Sequence, residues 1–263
     1  LCSYRGDTYY LPPLGAPGKD LFGVIRKLAN ESQKNGLPFK IKAAPCSLAR
    51  LFAEEKNFFA TPDRDNWDYL YRTKDLIELR GRKYQQKRNH INKFRESYDY
   101  SFEALRPEHI NGCLELFQSW AKEREEQPIN DTSSKTDHVH TNQETIFDSV
   151  MEERLALQEA LENLESLSLK GAVLIMNGRI EAFTLGSLLN QETALVHFEK
   201  ANREYSGIYS LVNQHFAERI WAKTKYINRE DDLGLPGLRA AKSRYHPVQM
   251  IEKYTIVEKT RRR

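Results

Sequence analysis

Three adjacent carboxylates, Glu230, Asp231 and Asp232, stand just ahead of Leu233-Gly234, and a cationic run of Arg239, Lys242 and Arg244 follows with Tyr245 beside it. Neighbouring acids repel one another, so a cluster held in place suits a cation such as the ammonium of an aminoacyl group. The basic run suits phosphate or the terminus of a polynucleotide. Tyr245 is placed to hand a proton to a leaving oxygen. Asn228 precedes the acids at the end of an expected strand, on the substrate side of the same loop. Glu199, in His197-Phe198-Glu199-Lys200, closes another expected strand, and its carboxylate is a candidate catalytic group. The plainer reading of these groups, a solvated charged loop and a core histidine, stands beside the functional one.

A second constellation is electrostatic. Between residues 80 and 95 there are seven Lys or Arg and no acid, among them Arg82, Lys83, Lys87 and Arg88. Such a stripe suits a polyanion, either tRNA or anionic lipid head groups, and it is also what a solvated helix face looks like. The net charge of the 263 residues is only +3, so the stripe is local. Cys2, Cys46 and Cys113 are odd in number and far apart, which argues against a disulfide framework or a structural zinc site and for a reducing cytoplasm. His138 and His140 lie in a polar stretch with only Asp137 near them, and no metal is expected. No apolar run approaches the roughly 18 residues of a membrane-crossing helix. P-loop, dinucleotide-fold, HExxH and GxSxG motifs are absent.

The elements that must position these groups follow from periodicity. The first part reads as a strand at 8–11, a helix from about 19 with Leu21, Val24, Ile25 and Leu28 on one face, a strand at 39–43, a helix at 47–56, and extended segments at 67–72 and 76–79. A basic helix at 82–96 bridges to a strand at 98–104 and a helix carrying Ile110, Cys113, Leu114, Phe117 and Trp120. Residues 126–145 read as a mobile loop before a long helix with Val150, Leu157 and Leu161 in register. Strands at 171–176 and 180–189 are joined by Asn177-Gly178, the strongest short hairpin signal. A third strand at 193–199, a helix at 206–224, a short strand at 226–228, a charged glycine-containing loop and a strand at 248–257 complete the order.

The helix, hairpin, strand, helix, strand, strand order of the second part resembles the GCN5-related acetyltransferase fold. The segment Asn228-Arg229-Glu230-Asp231-Asp232-Leu233-Gly234 with Gly237-Leu238-Arg239, Lys242, Tyr245 and Pro247 is more specific, as are Tyr69-Leu70-Tyr71-Arg72, Leu79-Arg80-Gly81-Arg82-Lys83-Tyr84 and Lys87-Arg88-Asn89. They resemble the cytosolic C-terminal domain of bacterial phosphatidylglycerol lysyltransferase and its small soluble relatives. The resemblance implies an α/β (α+β) chain of two tandem GCN5-related acetyltransferase-like domains joined by a helix: residues 1–97 with the bridging helix, and residues 98–263 carrying the active site. It also implies aminoacyl transfer from aminoacyl-tRNA to an amine or hydroxyl acceptor. An anionic lipid or a cell-wall precursor would be that acceptor, and no cofactor would be tightly bound.

Two other functions remain open at this level. One is a coenzyme A-dependent N-acyltransferase with acetyl-coenzyme A as donor; the other is a non-catalytic module that binds tRNA or lipid. Acetyltransferases wrap the coenzyme's pyrophosphate in a glycine-rich loop at a helix start. Here the matching loop, Arg203-Glu204-Tyr205-Ser206-Gly207, has one glycine, and Tyr209 stands where a second small residue is expected. Arg203 and Gly207 are the substrate-binding candidates of that loop. Acids where an ammonium would bind, and few glycines where a pyrophosphate would, favour the aminoacyl donor.

Overall fold

The computed structural model describes residues 1–4, 6–13, 21–53, 55, 57–126 and 143–259. In chain order its elements are β1 (Cys2–Tyr4), β2 (Asp7–Tyr9), α1 (Leu21–Lys34), β3 (Lys40–Pro45), α2 (Cys46–Ala53), β4 (Phe58–Pro62), β5 (Asp68–Arg72), α3 (Thr73–Glu78), α4 (Gln85–Ser97), β6 (Ser101–Ala104), α5 (Ile110–Glu126), α6 (Gln143–Glu162), β7 (Lys170–Met176), β8 (Arg179–Leu188), β9 (Thr193–Ala201), α7 (Ile208–Arg219), β10 (Tyr226–Asn228), α8 (Pro236–Ser243), β11 (Gln249–Ile251) and β12 (Lys253–Glu258). Short 3-10 turns occur at Arg64–Asn66, Arg82–Tyr84 and Pro107–His109. The stretch read as a mobile loop lies, over residues 127–142, outside the described residues, and His138 and His140 fall within it.

Packing divides the chain into two units: Leu1–Leu70 with Glu230–Arg263, and Tyr71–Arg229. This grouping does not follow the sequence order expected from a boundary at 97/98, which falls between α4 and β6 inside the second unit. The reason lies in β12. The last strand returns to the first unit and sits in the middle of a three-stranded antiparallel sheet, between β3 and β4. One sheet face is covered by α1 and α2, and Ile25, Ala29, Phe39, Ile41, Leu48, Phe52, Phe58 and Ile256 form the core between them. Phe52 and Phe58 meet edge to face at 5.0 Å, the favoured aromatic geometry. The strand expected over 248–257 is two strands: β11 pairs antiparallel with β5 (Ile251 opposite Asp68), and the ladder of β12 begins at Lys253.

In the second unit, strands run in the order β10-β9-β8-β7-β6. All neighbours are antiparallel except β9 and β10, which are parallel. Asn177 and Gly178 take φ of 50° and 75°, the two left-handed residues of a type I′ turn, as their sequence demands. Cys113, Phe117 and Trp120 of α5 and Leu157 and Leu161 of α6 pack on Val173, Phe183 and Leu185 of the sheet. Side chains alternate across a strand, so Thr184 and Gly186 point to the opposite face, where a side chain at Gly186 would meet Phe216 of α7. The segment at 76–79, expected to be extended, is instead part of α3, a helix closed by Leu79 in the left-handed region (φ 47°). The basic helix at 82–96 is α4, entered through the turn at Arg82–Tyr84.

Candidate functional site

Strand β10 pairs with β9 through three positions only, Tyr226 with Thr193, Ile227 with Ala194 and Asn228 with Leu195. Beyond Leu195, β9 continues to Ala201 paired on the β8 side alone, so past the end of β10 its other edge has no ladder partner and leaves a wedge-like opening there. Asn228, buried, ends β10. Arg229 follows it and donates from Nη2 to Oε1 of Glu199 at 2.8 Å, with the two side chains 12% and 10% exposed. Its guanidinium lies 5.9 Å from the ring centre of Tyr71. A charge pair removed this far from water interacts strongly and needs good geometry to offset desolvation. Asn213 of α7 reaches the second carboxylate oxygen of Glu199 through Nδ2 at 3.4 Å. Thr184 is the cross-strand partner of Glu199 and shares its face of the sheet.

Gly207 caps the start of helix α7, with a φ of 96°. A Cβ there would come within 2.5 Å of the His90 carbonyl oxygen, so the glycine lets the α4 backbone approach the start of α7. Arg203 is exposed, its guanidinium 5.7 Å from the Trp120 ring. Burial pushes the Tyr209 phenol up, against the lowering effects of a hydrogen bond to Ala201 and of Arg203.

The acids of the first unit have partners within the chain. Asp232 is fully buried and accepts from Tyr69 Oη (2.5 Å), Arg239 Nε (2.9 Å) and Nη2 (2.8 Å), Arg64 Nη1 (3.2 Å) and the Gly234 amide (3.0 Å). Burial pushes its carboxyl up, but these bonds outweigh that and hold it at about 2. The cation expected from outside is therefore supplied by Arg239 and Arg64. Arg239 also bonds Asp65 at 2.6 Å. For Asp231 burial prevails and its carboxyl is raised, despite Lys253 and Lys242 nearby. Lys253 bonds Asp68 at 2.5 Å, and Lys242 donates to the Asp231 carbonyl. Glu230 and Leu233 both adopt left-handed backbone (φ 55° and 51°), Tyr245 is buried and Arg244 is exposed.

The expected site residues thus fall into two groups. Glu199, Asn228, Arg203 and Gly207 belong to the second unit; Glu230, Asp231, Asp232, Arg239, Lys242, Arg244 and Tyr245 belong to the first. Sequence reasoning did not assign Arg229, Asn213 and Thr184, nor Arg64, Tyr69 and Lys253. The signal for Arg229 and Tyr69 was present, because both lie in the stretches that carry the family resemblance. In the basic stripe, Arg88 is used structurally, donating to the carbonyls of Leu79 and Gly81. Lys87 is half-buried, while Arg82 and Lys83 are exposed. The second unit also has a groove of about 720 Å³, lined by Trp120 and by Glu108, Glu115, Glu123, Glu181 and Glu204 among others.

Comparison with known proteins adds three likenesses. A conserved protein of unknown function from Bacteroides thetaiotaomicron shares 39% identity and superposes with a TM-score of 0.80 over 95% of this chain and 79% of its own. The C-terminal domain ascribed to a lysylphosphatidylglycerol synthetase of Agrobacterium fabrum shares the fold, at 15% identity and a TM-score of 0.63 over 95% and 76% of the two chains. An uncharacterised protein of Mycoplasmoides gallisepticum is 25% identical over 192 residues, 72% of this chain, and the match spans 55% of that relative's length. The mixed α/β fold read from the sequence is the fold found, and it is shared with that C-terminal domain. The family model described as "Phosphatidylglycerol lysyltransferase, C-terminal" matches residues 2–257, and the chain belongs to that family.

Proposed function

We propose that this chain is an acyltransferase that moves an aminoacyl group from aminoacyl-tRNA to an amine or hydroxyl acceptor, with the reacting ester in the wedge between β9 and β10. The observation that carries this reading is the Glu199–Arg229 pair. Held by Glu199, the Arg229 guanidinium is a preorganised positive charge suited to an ester carbonyl that turns anionic during attack. An aminoacyl ester is already activated, so orientation and charge complementarity supply most of what the step needs. The acceptor nitrogen or oxygen bonds to the carbonyl carbon, the carbon–oxygen bond to the ribose breaks, and the acceptor's proton ends on the ribose oxygen. The family description and the lysylphosphatidylglycerol synthetase name of a fold relative support a lysyl donor and an anionic lipid acceptor. A cell-wall precursor fits the same chemistry, and the glutamate-lined groove supports an amine acceptor.

Acetyl-coenzyme A as donor is the second reading, and one observation weighs against it. The α4 backbone packs on Gly207, at the helix start where a pyrophosphate would need open amides. A charged-tRNA donor implies the cytoplasm; among the described residues, no helix is long and apolar enough to cross a membrane. Calorimetry with acetyl-coenzyme A and with a non-hydrolysable aminoacyl-adenosine tests the choice. The expected result is heat from the aminoacyl probe that disappears in Arg229→Met. Tight coenzyme A binding with no response to the aminoacyl probe would overturn the proposal.

A further inference from the structure

Two buried oxygens on residues beside Glu199 have no hydrogen-bond partner: Oγ1 of Thr184 and Oδ1 of Asn213, in residues that are 0% and 4% exposed. Thr184 lies directly across the ladder from Glu199, and Asn213 reaches the same carboxylate from α7. The amide orientation is fixed by that hydrogen bond, since the reverse would set two oxygens against each other. Buried polar groups in folded proteins are almost always paired, so two orphans on the residues that flank one carboxylate ask for a donor from outside the chain. Valine would fill the same space as Thr184 without leaving a hydroxyl unpaired.

We propose that Thr184, Asn213 and Oε2 of Glu199 form a subsite for the α-amino group of the transferred aminoacyl moiety. This rests on the aminoacyl-transfer reading above and adds the means of telling an aminoacyl from a plain acyl group. A primary amine brings at least two hydrogens to three oxygens that can accept them. Arg229 already balances the charge of Glu199, so the amine enters neutral; an α-amino group titrates at roughly 7.7–8.0, which keeps that form accessible near neutrality. An acetyl group offers no donor and would leave both orphans buried and unpaired. Sites built to hydrogen-bond a substrate group reject the analogue that lacks it far better than apolar pockets reject a missing methylene.

The test compares two non-hydrolysable probes on the full chain: adenosine carrying a 3′-amide-linked alanyl group, and the same molecule with a propionyl group. Wild type is expected to bind the alanyl probe roughly 10- to 100-fold more tightly, the range that one or two buried hydrogen bonds represent. Thr184→Val should largely abolish that preference while melting at or above the wild-type temperature, because it removes an unpaired buried hydroxyl. Thr184→Ser should retain the preference. Equal binding of both probes by wild type would overturn the subsite and leave the transferase reading standing. Discrimination unchanged in Thr184→Val would also overturn it, since a resident water would then be the orphans' partner. Binding of neither probe would overturn the subsite together with the aminoacyl reading.

Discussion

At Asp232 five hydrogen bonds from four residues converge on one fully buried carboxylate. Its folded-state titration sits at about 2, below the ordinary 3.8, so its contribution to stability is complete above about 3.8 and is lost as the pH falls towards about 2. Asp232→Asn should lower the unfolding free energy by about 2–3 kcal/mol, the scale of charge-assisted hydrogen bonds, because Arg64 and Arg239 are themselves more than a third exposed. Denaturant titrations at pH 7 and pH 2.5 check this: the difference between variant and wild type should shrink at the lower pH. The acids were legible in the sequence as a cluster, but their partners were not. Arg64 and Tyr69 stand 168 and 163 residues away from Asp232, and a cluster read without them invites an external cation. The same distance problem hid Arg229 as the partner of Glu199, and Asn213, which is buried on a helix face that reads as core.

Among the elements, strong local chemistry was the readable part. Asn177-Gly178 dictated its hairpin, and the apolar registers of α5 and α6 dictated theirs. Short elements set by tertiary context escaped: the end of α3 read as extended, β4 went unassigned, α8 read as loop, and β11 with β12 as one strand. No periodicity fits in six residues, so packing decides between helix and strand. The glycine at the start of α7 read as a weak pyrophosphate loop, whereas its conformation and surroundings tie it to α4. Gly207→Ala should therefore cost roughly 1–3 kcal/mol from overpacking, with further backbone strain from its positive φ. Hydrogen exchange should show the loss as faster opening of α4 and of the first turn of α7. Unchanged protection in both helices would count against the packing role.

For the whole molecule, the family was legible because its motifs are short runs of neighbouring residues, such as 69–72, 79–84 and 228–234, that the sequence spells out directly. The grouping of β12 with the N-terminal sheet was not legible, since a strand does not announce its neighbours. Charge distribution belongs to this scale too. Reversing Arg82 and Lys83 to Glu should weaken tRNA binding and flatten the slope of log affinity against log salt by about 2, close to one for each phosphate no longer neutralised. Reversing Arg88 would mix that effect with the loss of its bonds to Leu79 and Gly81, so it is the poorer probe. Whether the wedge between β9 and β10 transfers aminoacyl groups is decided most directly by single-turnover kinetics. A labelled amino acid on charged tRNA is offered extracted lipid and small amines, with labelled acetyl-coenzyme A run in parallel. Transfer from the tRNA is expected, and none from acetyl-coenzyme A. Glu199→Gln and Arg229→Met should each slow the step roughly 10²- to 10³-fold, the scale of losing one electrostatic stabiliser of the reacting carbonyl. Acetyl transfer that survives both substitutions, with the label left on the tRNA, would contradict the aminoacyl-transferase reading.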